Sequence, residues 1–122
     1  MRLSVPSPAR RRVLVVLAAA LAPQPARAAE RSFELRIDKN GRVPEGSWTL
    51  RVSEGDSVRL VFRVDRPMAL HLHGYDIEQR AEPGKPAEIR FVARATGRFP
   101  LHAHGGAGAS DSPLLYVEVY PR

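Results

Sequence analysis

The 122-residue chain contains no cysteine. Disulfides, zinc–thiolate sites, iron–sulfur clusters and thiol nucleophiles are therefore excluded. A blue-copper centre is excluded too, because it needs a thiolate ligand. Lipid attachment through a cysteine behind a signal sequence is likewise impossible. Long hydrophobic runs are also missing. The longest, Val13 to Ala22, has ten residues, whereas a helix that crosses a bilayer needs about 20. No segment keeps a 3.6-residue apolar period for long, so very little helix is expected. There are no internal repeats.

Acidic residues are absent from the first 28 positions, which hold five arginines. Met1 to Arg12 is basic, Val13 to Ala22 is apolar, and Ala26-Arg27-Ala28 fits a small-x-small cleavage site. These three zones in this order are the anatomy of a secretory signal peptide. The reading is a signal peptide over 1–28 and one domain over 29–122, placed in the periplasm or outside the cell. Arg10-Arg11-Arg12-Val13-Leu14 also resembles a twin-arginine signal, but Ala9 precedes the pair where Ser or Thr is usual. The export route stays open.

The formal charge of +6 belongs largely to this leader. Residues 29–122 hold 14 basic and 13 acidic side chains, a net charge of +1. A nearly neutral domain gives no electrostatic reason to bind nucleic acid or an anionic membrane. No membrane span is expected after cleavage.

From Ala29 onward the sequence alternates. Phe33, Leu35 and Ile37 alternate with Glu34, Arg36 and Asp38, the pattern of a half-buried strand. Similar runs cover 48–52, 57–65, 68–73, 75–80, 88–93, 98–104 and 114–120. Turn residues separate them, among them Lys39-Asn40-Gly41, Glu54-Gly55-Asp56, Pro83-Gly84-Lys85-Pro86 and Thr96-Gly97. Gly105 to Pro113 reads as an irregular loop. The expected fold is all-β: an antiparallel Greek-key β-sandwich of about eight short strands. Trp48 and the other aromatics are expected in its core.

All four histidines fall in two His-x-His pairs, His71/His73 and His102/His104. In a strand, residues i and i+2 share a face. Leu70 and Leu72 should face the core, which turns His71 and His73 outward. Phe99, Leu101 and Ala103 do the same for His102 and His104. If the two strands are neighbours, four imidazoles converge. Protonated, they would repel one another, whereas neutral imidazole nitrogens are good metal ligands. An all-imidazole set suits copper, zinc or nickel, and copper(II) binds most tightly of these, other things equal. The plain alternative is four unrelated surface histidines.

Two stretches resemble the cupredoxin superfamily, and multicopper oxidases in particular. His71-Leu72-His73-Gly74 is similar to the His-x-His-Gly motif of those oxidases. Gly97-Arg98-Phe99-Pro100-Leu101-His102-Ala103-His104 is similar to their Gly-Thr-Tyr-x-x-His-x-His motif. Glu54 to Phe62 resembles the strand that precedes the first ligand in many cupredoxins, and Leu114 to Val119 resembles the last strand. The resemblance spans roughly residues 32–120. It implies a cupredoxin-like sandwich with His71, His73, His102 and His104 as copper ligands, copper being favoured over zinc. It also shows a departure. Where the oxidases place a cysteine between the last two histidines, this chain has Ala103. Oxidase activity and long-range electron transfer are therefore not carried over, and the domain is not expected to be an enzyme.

Three further residues come into question near the histidines. Met68 could offer a thioether, but its parity places it with the core. Asp76 or Asp111 could accept an imidazole N–H, as metal-bound histidine usually requires. Ser110 and Ser112 flank Asp111, yet nothing supplies an oriented base or an oxyanion site. The leading expectation is an exported protein that holds, buffers or delivers copper. The second is a metal-free cupredoxin-like scaffold whose outer face docks a protein partner. A third, in which copies pool their histidines into a multinuclear enzyme site, ranks last because no thiolate admits electrons.

Overall fold

A computed structural model describes residues 2–5, 9, 13–23, 27–105 and 111–122. The twin-arginine stretch Arg10–Arg12, Ser110 and most of the glycine-rich loop lie outside the described residues. Eight strands follow in order: β1 (Glu30–Ile37), β2 (Thr49–Ser53), β3 (Ser57–Val64), β4 (Met68–Leu72), β5 (Ile77–Ala81), β6 (Ala87–Val92), β7 (Gly97–His104) and β8 (Leu115–Tyr120). They form a three-stranded sheet, β1-β3-β6, and a five-stranded sheet, β2-β8-β7-β4-β5. Among the described residues no helix is long and apolar enough to cross a membrane.

The alternation becomes the core. Ile37, Leu60, Phe62 and Ile89 from the small sheet meet Leu70, Leu72, Leu101 and Val117 from the large one, all fully buried. Burying each such side chain stabilises the fold by about 1.5–3 kcal/mol. Two pairings, β1 with β3 and β2 with β8, are parallel, a detail that alternation does not encode. The chain passes from β1 in one sheet to β2 in the other and back to β3. It therefore re-enters the first sheet running in its original direction. The remaining four pairings are antiparallel.

Trp48 departs from expectation. It precedes β2 and is 58 % exposed, beyond the end of the packed layer, although its carbonyl accepts the Tyr116 N–H at 2.9 Å. Tyr120 is exposed as well, and Tyr116 lies on the outer face under the Arg98 guanidinium, 3.7 Å from its ring centre. Phe33, Phe91, Phe99 and Tyr75 pack against the core from its margins. The apolar run Val13–Leu21 adds nothing to that core: Val13, Leu14, Val15, Val16, Leu17 and Leu21 are all exposed.

Candidate metal centre

The two histidine strands are neighbours. β4 and β7 pair antiparallel, with His71 directly opposite His102 and Ala69 opposite His104. Met68, Leu70 and Leu72 point into the core from β4, and Leu101 does so from β7. The intervening side chains must emerge on the outer face. Strand β4 ends at Leu72, one residue sooner than the alternation predicts. His73 instead opens the turn to β5, but its N–H still donates to the Pro100 carbonyl at 3.0 Å. That bond keeps His73 aligned with the ladder.

All four imidazoles meet on this face. Ring centres are 4.1 Å apart for His71 and His73, and 4.7 Å for His73 and His102. They are 6.0 Å apart for His102 and His104, whose planes lie within 7° of parallel, and 6.4 Å for His71 and His104. With metal–nitrogen bonds of about 2.0 Å, two imidazoles on one ion stand about 4.5 Å apart at a right angle and about 6.4 Å apart in line. The observed ring separations, 4.1 to 6.4 Å, are of that order. The donor atoms are not yet aimed: among the described residues, no three His, Asp or Glu side chains are arranged to hold a metal as they stand.

Burial lowers the pKa of His102, and the neighbouring His73, His104 and His71 push it down further, against a smaller opposing pull from Asp111. Its neutral form, the one that ligates metal, is thereby favoured. Of the two acids considered from sequence, Asp111 is the one whose charge reaches His102. Asp76 sits exposed in the β4–β5 turn with a left-handed backbone, φ 51°. Met68 is buried in the core cluster, as its parity predicts. Ser112 is exposed beside Asp111.

Sequence reasoning missed two neighbours of the site. Glu78 lies directly opposite His71 on β5, and the shared parity places it on the same outer face. Only the β4–β5 register brings it there. The second neighbour lies under the turn. Gly74 has φ 86°, and a Cβ there would meet the Phe99 ring, with Cε1 2.7 Å away. Tyr75 packs its ring 4.9 Å from Phe99 and 4.6 Å from Phe91, and its hydroxyl donates to the Ala95 carbonyl at 2.8 Å. This aromatic platform fixes the turn that carries His73. The glycine of the His-x-His-Gly stretch is thus required by backbone conformation and by the closeness of Phe99.

A groove of about 360 Å³ opens elsewhere, at the end of the three-stranded sheet, lined in part by Arg31, Val58, Arg59, Arg90 and Phe91. It holds no histidine, and Glu88 already engages both Arg59 and Arg90.

No family model and no curated protein matches the chain in sequence. Solved structures do match in fold. A heme-copper terminal oxidase dimer aligns with a TM-score of 0.60 at 19% identity, over 73% of this chain and 64% of that one. A copper-containing nitrite reductase from Thermus scotoductus SA-01 aligns at 0.58 and 23% identity, over 76% of this chain and 28% of the other. A multicopper oxidase aligns at 0.57 and 21%, over 75% and 42%. The all-β sandwich is therefore cupredoxin-like. The chain spans less than two thirds of the length of each of these proteins.

Proposed function

We propose that this domain binds copper on the outer face of its five-stranded sheet, through His71, His73, His102 and His104, and holds or delivers the ion outside the cytoplasm. The observation that carries the reading is the convergence of all four histidines, ring centres 4.1–6.4 Å apart, with His71 and His102 in direct register. Nothing in the hydrophobic packing calls for imidazoles there. Neutral nitrogen donors favour copper(II) over the other divalent ions. The copper proteins that share the fold support that choice. The leader over residues 1–28 supports a destination in the periplasm or outside the cell.

The domain alone is not an oxidase in this reading. Ala103 stands between the last two histidines, and the chain offers no thiolate to admit electrons. What the four residues do is capture the ion, orient it and release it.

Copper titration of the processed domain tests this. Changing all four histidines to alanine is expected to weaken uptake by about 100-fold or more. Copper at 100 times its dissociation constant should raise the melting temperature by about 10 °C. Equal uptake by both proteins would defeat the proposal. The second reading, a metal-free scaffold that docks a protein partner or a second copy, is favoured by the unaimed donor atoms. It predicts no melting shift with copper.

A further inference from the structure

Asp56 is the one buried charged or polar side chain among the described residues, 3 % exposed. Its carboxylate accepts the Ser53 N–H at 2.9 Å, an Arg122 N–H at 2.5 Å and the Ala29 N–H at 2.9 Å. The last contact is unusual in its place along the chain. Ala29 is the first residue after the Ala26-Arg27-Ala28 stretch. Its carbonyl accepts the Ser57 N–H at 3.0 Å, so the residue is held from both sides. Strand β1 begins at the next residue, Glu30. Residues 27–29 themselves are exposed.

We infer that processing after Ala28 turns the Ala29 nitrogen into an α-ammonium that pairs with buried Asp56, so that cleavage itself locks the mature sandwich. This rests on the signal-peptide reading. In the cleavage, water adds across the Ala28–Ala29 amide. Ala28 leaves with a carboxylate, and the Ala29 nitrogen takes up protons to become ammonium. The nitrogen stays where the precursor already holds it, within hydrogen-bond distance of Asp56. A neutral hydrogen bond becomes a charge-assisted one, roughly twice as strong. Departure of Arg27 also frees the Arg122 Nη1, which donates to the Arg27 carbonyl at 2.6 Å in the precursor. Arg122 and Arg31 both face Asp56 and oppose the new charge. Arg31 is exposed, so solvent screens it, whereas Arg122 stays in contact and shares the carboxylate with the new ammonium.

Among the described residues every strand and every core residue lies within 29–122, so the processed domain is a fair test object. The full chain is expressed in a secreting host, and the exported protein is weighed by mass spectrometry. A start at Ala29 is expected. Retention of residues 1–28 would remove the signal reading and this inference with it. The processed protein is then acetylated selectively at its α-amine, at a pH that keeps Lys39 and Lys85 protonated. Acetylation restores the neutral amide of the precursor. It should lower the melting temperature by about 5 °C, and the effect should vanish in Asp56→Asn. If Asp56→Asn does not fold, Arg122→Gln serves instead, and there the acetylation effect should grow. A processed protein that melts at the same temperature with and without the acetyl group would overturn the inference while leaving the export reading standing.

Discussion

The two ends of the sandwich treat polar side chains in opposite ways. At the β2–β3 end a single carboxylate, Asp56, is buried and receives two backbone N–H groups and a guanidinium. At the β4–β7 end four imidazoles crowd one face, held beside one another by the β4–β7 register. The first end resembles a structural joint, with its donors and acceptors matched. The second is a set of like groups held together by strand register and left chemically open. A folded protein keeps a buried charge only where partners meet it. It keeps a repulsive cluster only where a ligand resolves it or where solvent tolerates it.

The comparison is broken most severely at the histidine end, through its backbone. Gly74→Ala forces a side chain onto a residue at φ 86° and drives its Cβ into Phe99. Left-handed strain and overpacking together should cost about 3 kcal/mol. The turn that carries His73 would shift, so copper affinity should fall along with stability. Denaturant unfolding and copper titration of the same variant measure the two losses. A variant as stable as the parent would mean that the aromatic platform does not fix the turn.

The Asp56 end should yield a smaller but pH-dependent loss. Burial alone would raise the Asp56 pKa. The Ala29 and Ser53 N–H groups, Arg122 and Arg31 outweigh it and hold the carboxyl below 3.8. The folded state therefore binds this proton less readily than the unfolded chain. Its contribution is fully present above about pH 3.8 and is lost as the pH falls through the lower folded value. Asp56→Ala should cost about 2 kcal/mol at neutral pH, because two backbone donors lose their acceptor. As the pH falls through that lower folded value, the gap between variant and parent should narrow. A gap that persists unchanged into acid would show that the side chain acts by packing and not by charge.

Alternation made the strands legible. The eight alternating runs match the eight strands to within two residues at most ends, because each strand has one face in the core. The same alternation placed all four histidines outward. It could not say which strands touch, since parity gives a face and never a neighbour. The pairing of His71 with His102 is a property of topology, as are the parallel contacts of β1 and β2. The same holds for Glu78: only the β5 register sets it opposite His71. In the sequence Asp56 is one polar residue of a turn, and nothing local distinguishes it from Glu54. Its burial comes from Ala29 and Arg122, far away in sequence. Trp48 was misplaced because parity holds only within the packed layer, and this residue lies just outside it.

The outer face of the five-stranded sheet offers the finest version of the comparison. Glu118 on β8 stands between Arg51 at 3.4 Å and Arg98 at 3.5 Å, and it accepts the Tyr120 hydroxyl at 2.7 Å. The Tyr120 contact, ahead of burial and the two arginines, sets the balance that lowers the Glu118 pKa. This patch shares its sheet and its outward parity with the histidines, yet its charges close on themselves. Solvent-exposed pairs of this kind contribute little. Glu118→Gln should therefore move the melting temperature by no more than about 5 °C. It should leave copper uptake unchanged, because β7 Arg98 and β8 Glu118 lie in register with each other and away from His102 and His104. A marked loss of copper binding in this variant would mean that the two outer patches are electrostatically coupled. The open histidine cluster would then depend on the closed one beside it.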